Sequence, residues 1–111
     1  MARLPNGSEH RWGERVRVNI PVLVLTDALT AMDGCLKNLS LSGALVQSDC
    51  DFQRHTLIDV RIDSPPPTVR VSVVRAYVSR RLTHGIGIEW CDFAPPVVKA
   101  LLRSPSVRFP P

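Results

Sequence analysis

Arg15-Val16-Arg17-Val18-Asn19-Ile20-Pro21-Val22-Leu23-Val24-Leu25 is the stretch from which the fold is read. Apolar side chains recur at Val16, Val18, Ile20, Val22 and Val24, a period of two that sends all five to one face of an extended strand. Pro21 has no N–H for a ladder bond, so the strand is expected to be bent, bulged or at an edge there.

The same period continues downstream. Asp27, Ala28 and Leu29 supply a loose turn, and a second strand leads through Cys35 to Asn38; Asp33-Gly34 reads either as that strand's bulge or as the hairpin turn itself. A third strand follows at Ala44-Leu45-Val46-Gln47, closed by the polar stretch Ser48-Asp49-Cys50-Asp51. Leu57 to Ile62 makes a fourth, with Ile58, Val60 and Ile62 on one face, ended by Pro65, Pro66 and Pro67. A fifth is expected from Val69 to about Val78, apolar at Val69, Val71 and Val73 before the pattern shifts at Val74. The hairpin tip then runs from Ser79 to His84, and Gly85-Ile86-Gly87-Ile88-Glu89-Trp90 returns as the sixth strand. Pro95 to Arg103 reads as a short helix whose prolines fit its first turn, whose Lys99 and Arg103 lie towards its negative end, and for which Asp92 is a nearby cap.

Six short strands and one terminal helix point to an all-β fold, a small six-stranded antiparallel β-barrel with a short C-terminal α-helix, because closure removes exposed strand edges. The organisation expected is a flexible polar arm over 1–10, one barrel domain over 11–103 and a Pro-rich tail over 104–111. At 111 residues the chain suffices for one hydrophobic core without metal or disulfide support. No apolar run reaches the length of a membrane span and the first residues lack a signal-peptide core, so a soluble, cytoplasmic protein is expected. Cys35, Cys50 and Cys91 are odd in number and widely spaced, with no histidine placed to complete a zinc set, so they read as small apolar residues and no metal site is assigned.

The net charge of +4 comes from arginine, since only Lys37 and Lys99 accompany twelve arginines. Arginine recognises phosphates and guanine edges bidentately, so the imbalance leans towards an anionic, nucleotide-like ligand. Two groups of residues fit such a ligand. Arg11 and Arg15 stand where the arm meets the first strand, which leaves Arg15 anchored on the barrel and Arg11 free to swing over whatever docks, the layout of a clamp. Trp12 lies between them as a candidate to stack on a base. Roughly twenty residues later comes Asn38-Leu39-Ser40-Leu41-Ser42-Gly43. If this segment is extended, Asn38, Ser40 and Ser42 share one face and Leu39 and Leu41 face the core. Asn38 offers an amide to a base or ribose edge, the Ser40 hydroxyl bonds phosphate or backbone, and Gly43 permits a sharp, positive-φ turn and close approach of a ligand.

These two motifs, RxxxR at Arg11 and Arg15 and (D/N)xSxxG from Asn38 to Gly43, resemble in that order the signature of PilZ domains, which bind cyclic di-GMP. RxxxR alone is expected by chance about once in a chain of this arginine content, and (D/N)xSxxG in about one shuffled chain in twenty, so the second motif carries most of the specificity. The run from Arg11 to Val22 is similar to the family's opening, with a proline partway along the first strand, Asn38 to Val46 to its second block, and Gly85 to Trp90 to its closing strand. The resemblance spans about Glu9 to Arg103. It implies a six-stranded barrel with a C-terminal helix that binds cyclic di-GMP through Arg11, Arg15, Asn38, Ser40 and Gly43, with His10, Trp12 and Ser42 as secondary candidates. His10 stands where many members carry a further arginine, a position associated with whether one ligand or a stacked pair is bound. Asn38 stands where Asp is commoner, and both occur in the pattern.

Catalysis finds little support, because His10, His55 and His84 have no serine or cysteine partner in a nucleophile setting and no cofactor motif is present. Single-stranded nucleic acid binding wants aromatic platforms interleaved with basic residues, and this chain has few aromatics. The remaining alternative is a degenerate PilZ-like module that binds only a protein, for which Arg80-Arg81 and the apolar C-terminal segment would contribute a surface. The expectation is therefore a cyclic di-GMP receptor or adaptor, not an enzyme and not inserted in a membrane. Ligand binding would change the conformation of its N-terminal arm, and an unidentified protein partner would read that change into a motility, biofilm or exopolysaccharide output.

Overall fold

The computed structural model describes residues 15–28, 30–49, 51–63 and 72–103. Six strands, β1 (Val16–Thr26), β2 (Ala31–Leu39), β3 (Gly43–Gln47), β4 (Leu57–Ile62), β5 (Val73–Leu82) and β6 (Gly85–Trp90), precede one helix, α1 (Pro96–Arg103). The strands close an antiparallel barrel in the order β1-β2-β3-β6-β5-β4, β4 pairing back onto β1. The barrel and terminal helix expected from the sequence are what form. The expected arm over 1–10 and tail over 104–111 lie outside the described residues. Among the described residues no helix is long and apolar enough to cross a membrane.

The period-two pattern of β1 sets the barrel interior. Val18, Ile20, Val22 and Val24 are buried there with Leu36, Leu39, Val46, Ile58, Val60, Ile62, Val74, Ala76, Val78, Ile86 and Ile88, and Val16 packs against this core from its rim. Branched aliphatic side chains fill a small barrel because they pack tightly on a pleated surface at low entropic cost. Pro21 sits inside β1 at little cost. Its carbonyl accepts from Asp63 N at 3.3 Å, so its nitrogen faces the end of β4, where the ladder is finishing.

Three irregularities break the ladders. Val18 and Asn19 of β1 stand opposite Lys37, Lys37 is the extra residue of β2 against β3, and Ser79 is the extra residue of β5 against β6. Each extra residue shifts the phase of alternation, so the residue beyond it faces the opposite side. Leu36 and Leu39 are consequently both buried while Asn38 turns outwards.

Several local expectations are corrected. Asp33-Gly34 is neither bulge nor turn, pairing regularly with Leu23 and Val22; the hairpin reverses at the loose turn expected from Asp27, with Thr26 N–H donating to Thr30 O at 3.0 Å. On β5 the inward residues are Val74, Ala76 and Val78, Val73 is exposed, and Val69 and Val71 lie outside the described residues. The strand continues past Ser79 through the bulge, leaving Thr83 and His84 as a two-residue turn between paired Leu82 and Gly85. Pro95, and not Asp92, caps α1: its carbonyl accepts from Lys99 N at 3.0 Å, and Pro96 takes the first helical position where a missing N–H costs nothing. Val97, Val98 and Leu101 form the buried stripe of α1 and join the barrel core.

Candidate functional site

The start of β1 lies beside the end of β2, with Val16 opposite Leu39 and Arg17 opposite Asn38. That register brings Arg15, the residue just before β1, to Asn38, 23 positions away, and its Nη1 donates to Asn38 Oδ1 at 3.1 Å. Both side chains are on the outer surface, and the contact uses one of the five N–H donors of the guanidinium. No carboxylate pairs with Arg15 among the described residues, and the Asn38 Nδ2 donors have no partner there. The pair therefore presents a positive, donor-rich face suited to an anion or to base-edge acceptors. Arg11, His10 and Trp12 lie outside the described residues.

The Asn38–Gly43 segment does not stay extended through its serines. β2 ends at Leu39 and the backbone turns at Ser40, closing on itself through Ser40 N to Gly43 O at 2.9 Å. Ser40 is 2% exposed. Its Oγ accepts from Gly43 N at 3.2 Å and from Ser42 N at 3.3 Å, and lies 3.2 Å from Ser42 Oγ. The expected strip of three polar side chains is thus reduced at the outer surface to Asn38, with Ser42 and Leu41 half-buried at the turn. A serine hydroxyl satisfying the amides two and three residues on is the local alternative to strand pairing that Ser offers.

Gly43 has a different reason from the one expected. Its φ is outside the left-handed region, and a Cβ there would stand 2.1 Å from Ile88 O. Close approach of β6 excludes a side chain there, and the positive-φ turn expected from the sequence does not form. The turn is held from three sides. Trp90 Nε1 donates to Ser40 O at 3.1 Å, Trp90 N to Ser42 O at 2.9 Å, and Ala94 N to Leu41 O at 3.0 Å. Ala94 does so at φ 55°, a left-handed conformation that costs a non-glycine residue about 1 kcal/mol or more.

Beyond Asn38 the ladders define one row on the barrel's outer surface. Arg17 pairs with Asn38, Asn38 with Leu45, Leu45 with Gly87 and Gly87 with Arg80, crossing β1, β2, β3, β6 and β5. On the next row Glu89 accepts the Tyr77 hydroxyl at 2.7 Å. That bond, with burial and the carboxylate's charge and a smaller contribution from Cys91, raises the Tyr77 pKa above its usual 10.0. Near the bulge, Lys37 Nζ and Cys35 Sγ both donate to Asn19 Oδ1, at 2.8 and 2.9 Å, so Cys35 is an outward polar contact and not a core residue. Sequence reasoning placed Arg80 with Arg81 at a hairpin tip. The signal that finds its place in this row is the break in alternation after Val78, where a hydroxyl residue, Ser79, precedes two arginines.

The PilZ domain family model matches residues 8–104, nearly the whole chain and every described element. No curated protein matches it. With the closed six-stranded barrel, the terminal helix and the (D/N)xSxxG turn at the end of β2, the match shows that this chain belongs to the PilZ domain family, a family of cyclic di-GMP-binding receptors.

Proposed function

We propose that this protein is a cyclic di-GMP receptor with no chemistry of its own, and that Arg15 and Asn38 hold the ligand on the outer face of the barrel, with Arg11 closing over it. The observation that carries the reading is the 3.1 Å contact between Arg15 and Asn38. It joins the second arginine of one motif to the first residue of the other, which supports reading the two motifs as one site. A guanine presents O6 and N7 as adjacent acceptors and a phosphodiester presents two oxygens, and an arginine fork meets either pair bidentately. Asn38 contributes donor and acceptor to the same edge. Ser40, Ser42 and Gly43 act by fixing the turn that aims Asn38, and His10 and Trp12 complete the arginine-bearing segment.

In the same proposal, ligand binding changes the conformation of the segment carrying Arg11. The bound surface then differs in shape and charge from the free one, and a protein partner with unequal affinity for the two reads the difference. Calorimetric titration of the purified protein with cyclic di-GMP, with GMP and cyclic di-AMP as controls, tests the receptor reading. Saturable heat with cyclic di-GMP alone is expected; equal binding of cyclic di-AMP, or none of any ligand, overturns it.

A further inference from the structure

We propose that Arg80 on β5 is a ligand-contacting residue, the far jaw of a site whose near jaw is Arg15 with Asn38; this rests on the cyclic di-GMP reading. Arg80 would face the core but for the bulge at Ser79. Val74, Ala76 and Val78 alternate inwards, and the extra residue sends Arg80 to the outer surface opposite Gly87. The bulge at Lys37 does the same for Asn38. Bulges re-aim side chains next to functional sites, and here two of them turn two members of one row, Asn38 and Arg80, outwards.

The floor between those two residues suits a planar group. From Asn38 to Arg80 are three inter-strand steps, about 14 Å at the usual strand spacing, and the intervening positions are Leu45, which is half-buried, and Gly87, which has no side chain. Arg80 lies across that bare glycine: a Cβ on Gly87 would stand 2.9 Å from Arg80 Cγ and from Nε. Three other arginines are engaged, Arg75 with Asp27 and Asp59, Arg81 with Asp51, and Arg54 with Ser79 O. Arg80 has neither a hydrogen bond nor an ion pair among the described residues. The carboxylate on the adjacent row, Glu89, is held by Tyr77. A guanidinium with no partner among the described residues, resting on an apolar floor, moves aside at little cost, then stacks on a purine laid over Leu45 and Gly87 or forks onto its O6 and N7. The ligand class is thus a dinucleotide with purine bases, one end taken by Arg15 and Asn38 and the other by Arg80.

The test is calorimetric titration of the full chain with cyclic di-GMP, comparing wild type with Arg80→Ala, Arg80→Lys, Arg81→Ala and Arg15→Ala. Arg80→Ala is expected to bind roughly tenfold more weakly with an unchanged thermal midpoint in the absence of ligand, and Arg80→Lys to recover little, because stacking and bidentate contact need the planar fork. Arg81→Ala removes the same charge from a side chain already paired with Asp51 and is expected to bind like wild type. If Arg80→Ala binds like wild type while Arg15→Ala is weakened, the inference on Arg80 fails and the receptor reading stands. Equal losses in Arg80→Ala and Arg81→Ala show a diffuse charge effect and overturn the contact. A wild-type protein that does not bind overturns both.

Discussion

The indole Nε1 of Trp90 donates to the carbonyl of Ser40 at 3.1 Å, tying the end of the closing strand to the turn that aims Asn38, 50 positions away in the chain. Trp90 is 5% exposed and Ser40 2%, so neither group has ready access to water. Trp90→Phe removes the donor and leaves a buried carbonyl lone pair unmet, which is expected to cost about 1–2 kcal/mol. In a domain of this size that is a fall in thermal midpoint of about 4–15 °C, read by circular dichroism. Affinity for cyclic di-GMP is expected to fall as well, because the turn loses a support.

Ser40 and Ser42 are expected to separate in the same assay. Ser40→Ala deprives the buried Gly43 N–H and the Ser42 N–H of their acceptor and should cost about 1–3 kcal/mol. Ser42 is half-buried and among the described residues its hydroxyl meets only that of Ser40, so Ser42→Ala should change stability by less than about 1 kcal/mol. Urea denaturation of both variants checks the order; equal losses would contradict the assignment of Ser40 to the turn.

Gly43→Ala is expected to be among the most damaging single methyl additions to the barrel. The new Cβ would meet Ile88 O at 2.1 Å, so β3 and β6 must part where they pair. A loss of about 2–3 kcal/mol is expected, as for overpacking in a filled core. Ligand affinity per folded molecule, measured at a temperature where the variant is still native, should drop less than stability does, since Gly43 contributes by letting β6 approach.

Much of this architecture is legible in the chain because β1 alternates without interruption: Val18, Ile20, Val22 and Val24 fix one face, and six such strands with a terminal helix leave little besides a closed barrel. Arg15 and Asn38 are legible as chemistry, from residue type and order. What simple alternation misreads is phase. Leu36 and Leu39 are both core residues, which period two forbids unless an extra residue intervenes, and Lys37 is that residue. Extending the pattern from Asn38 through Ser42 therefore places Ser40 on the surface, whereas backbone closure onto Gly43 buries it. Arg80 is hidden by the same cause, its outward direction depending on the bulge at Ser79. The clash that requires Gly43 depends on β6, which is joined to it only by the barrel's closure and by no local signal.

Tyr77 is the only tyrosine of the chain, so its ionisation can be followed by ultraviolet absorbance without interference from others. The hydrogen bond to Glu89 raises its pKa above 10.0 in the folded protein. A raised folded-state value means that the bond's contribution to stability is fully present below the unfolded value of about 10 and is lost as pH climbs through the folded one. The phenolate band is expected to appear above pH 10.0 in wild type and at lower pH in Glu89→Gln. Identical titrations in the two proteins would contradict the role given to Glu89.

The most direct measurement of the central claim is the affinity of Arg15→Ala and Asn38→Ala for cyclic di-GMP, by calorimetry beside wild type at one salt concentration. Both side chains are outside the core, so each variant is expected to keep its thermal midpoint. Arg15→Ala is expected to lose about 1.5–3 kcal/mol of binding, roughly tenfold to a hundredfold or more in affinity, and Asn38→Ala a smaller but clear amount. Wild-type affinity in both variants would contradict the placing of the ligand on the Arg15–Asn38 surface.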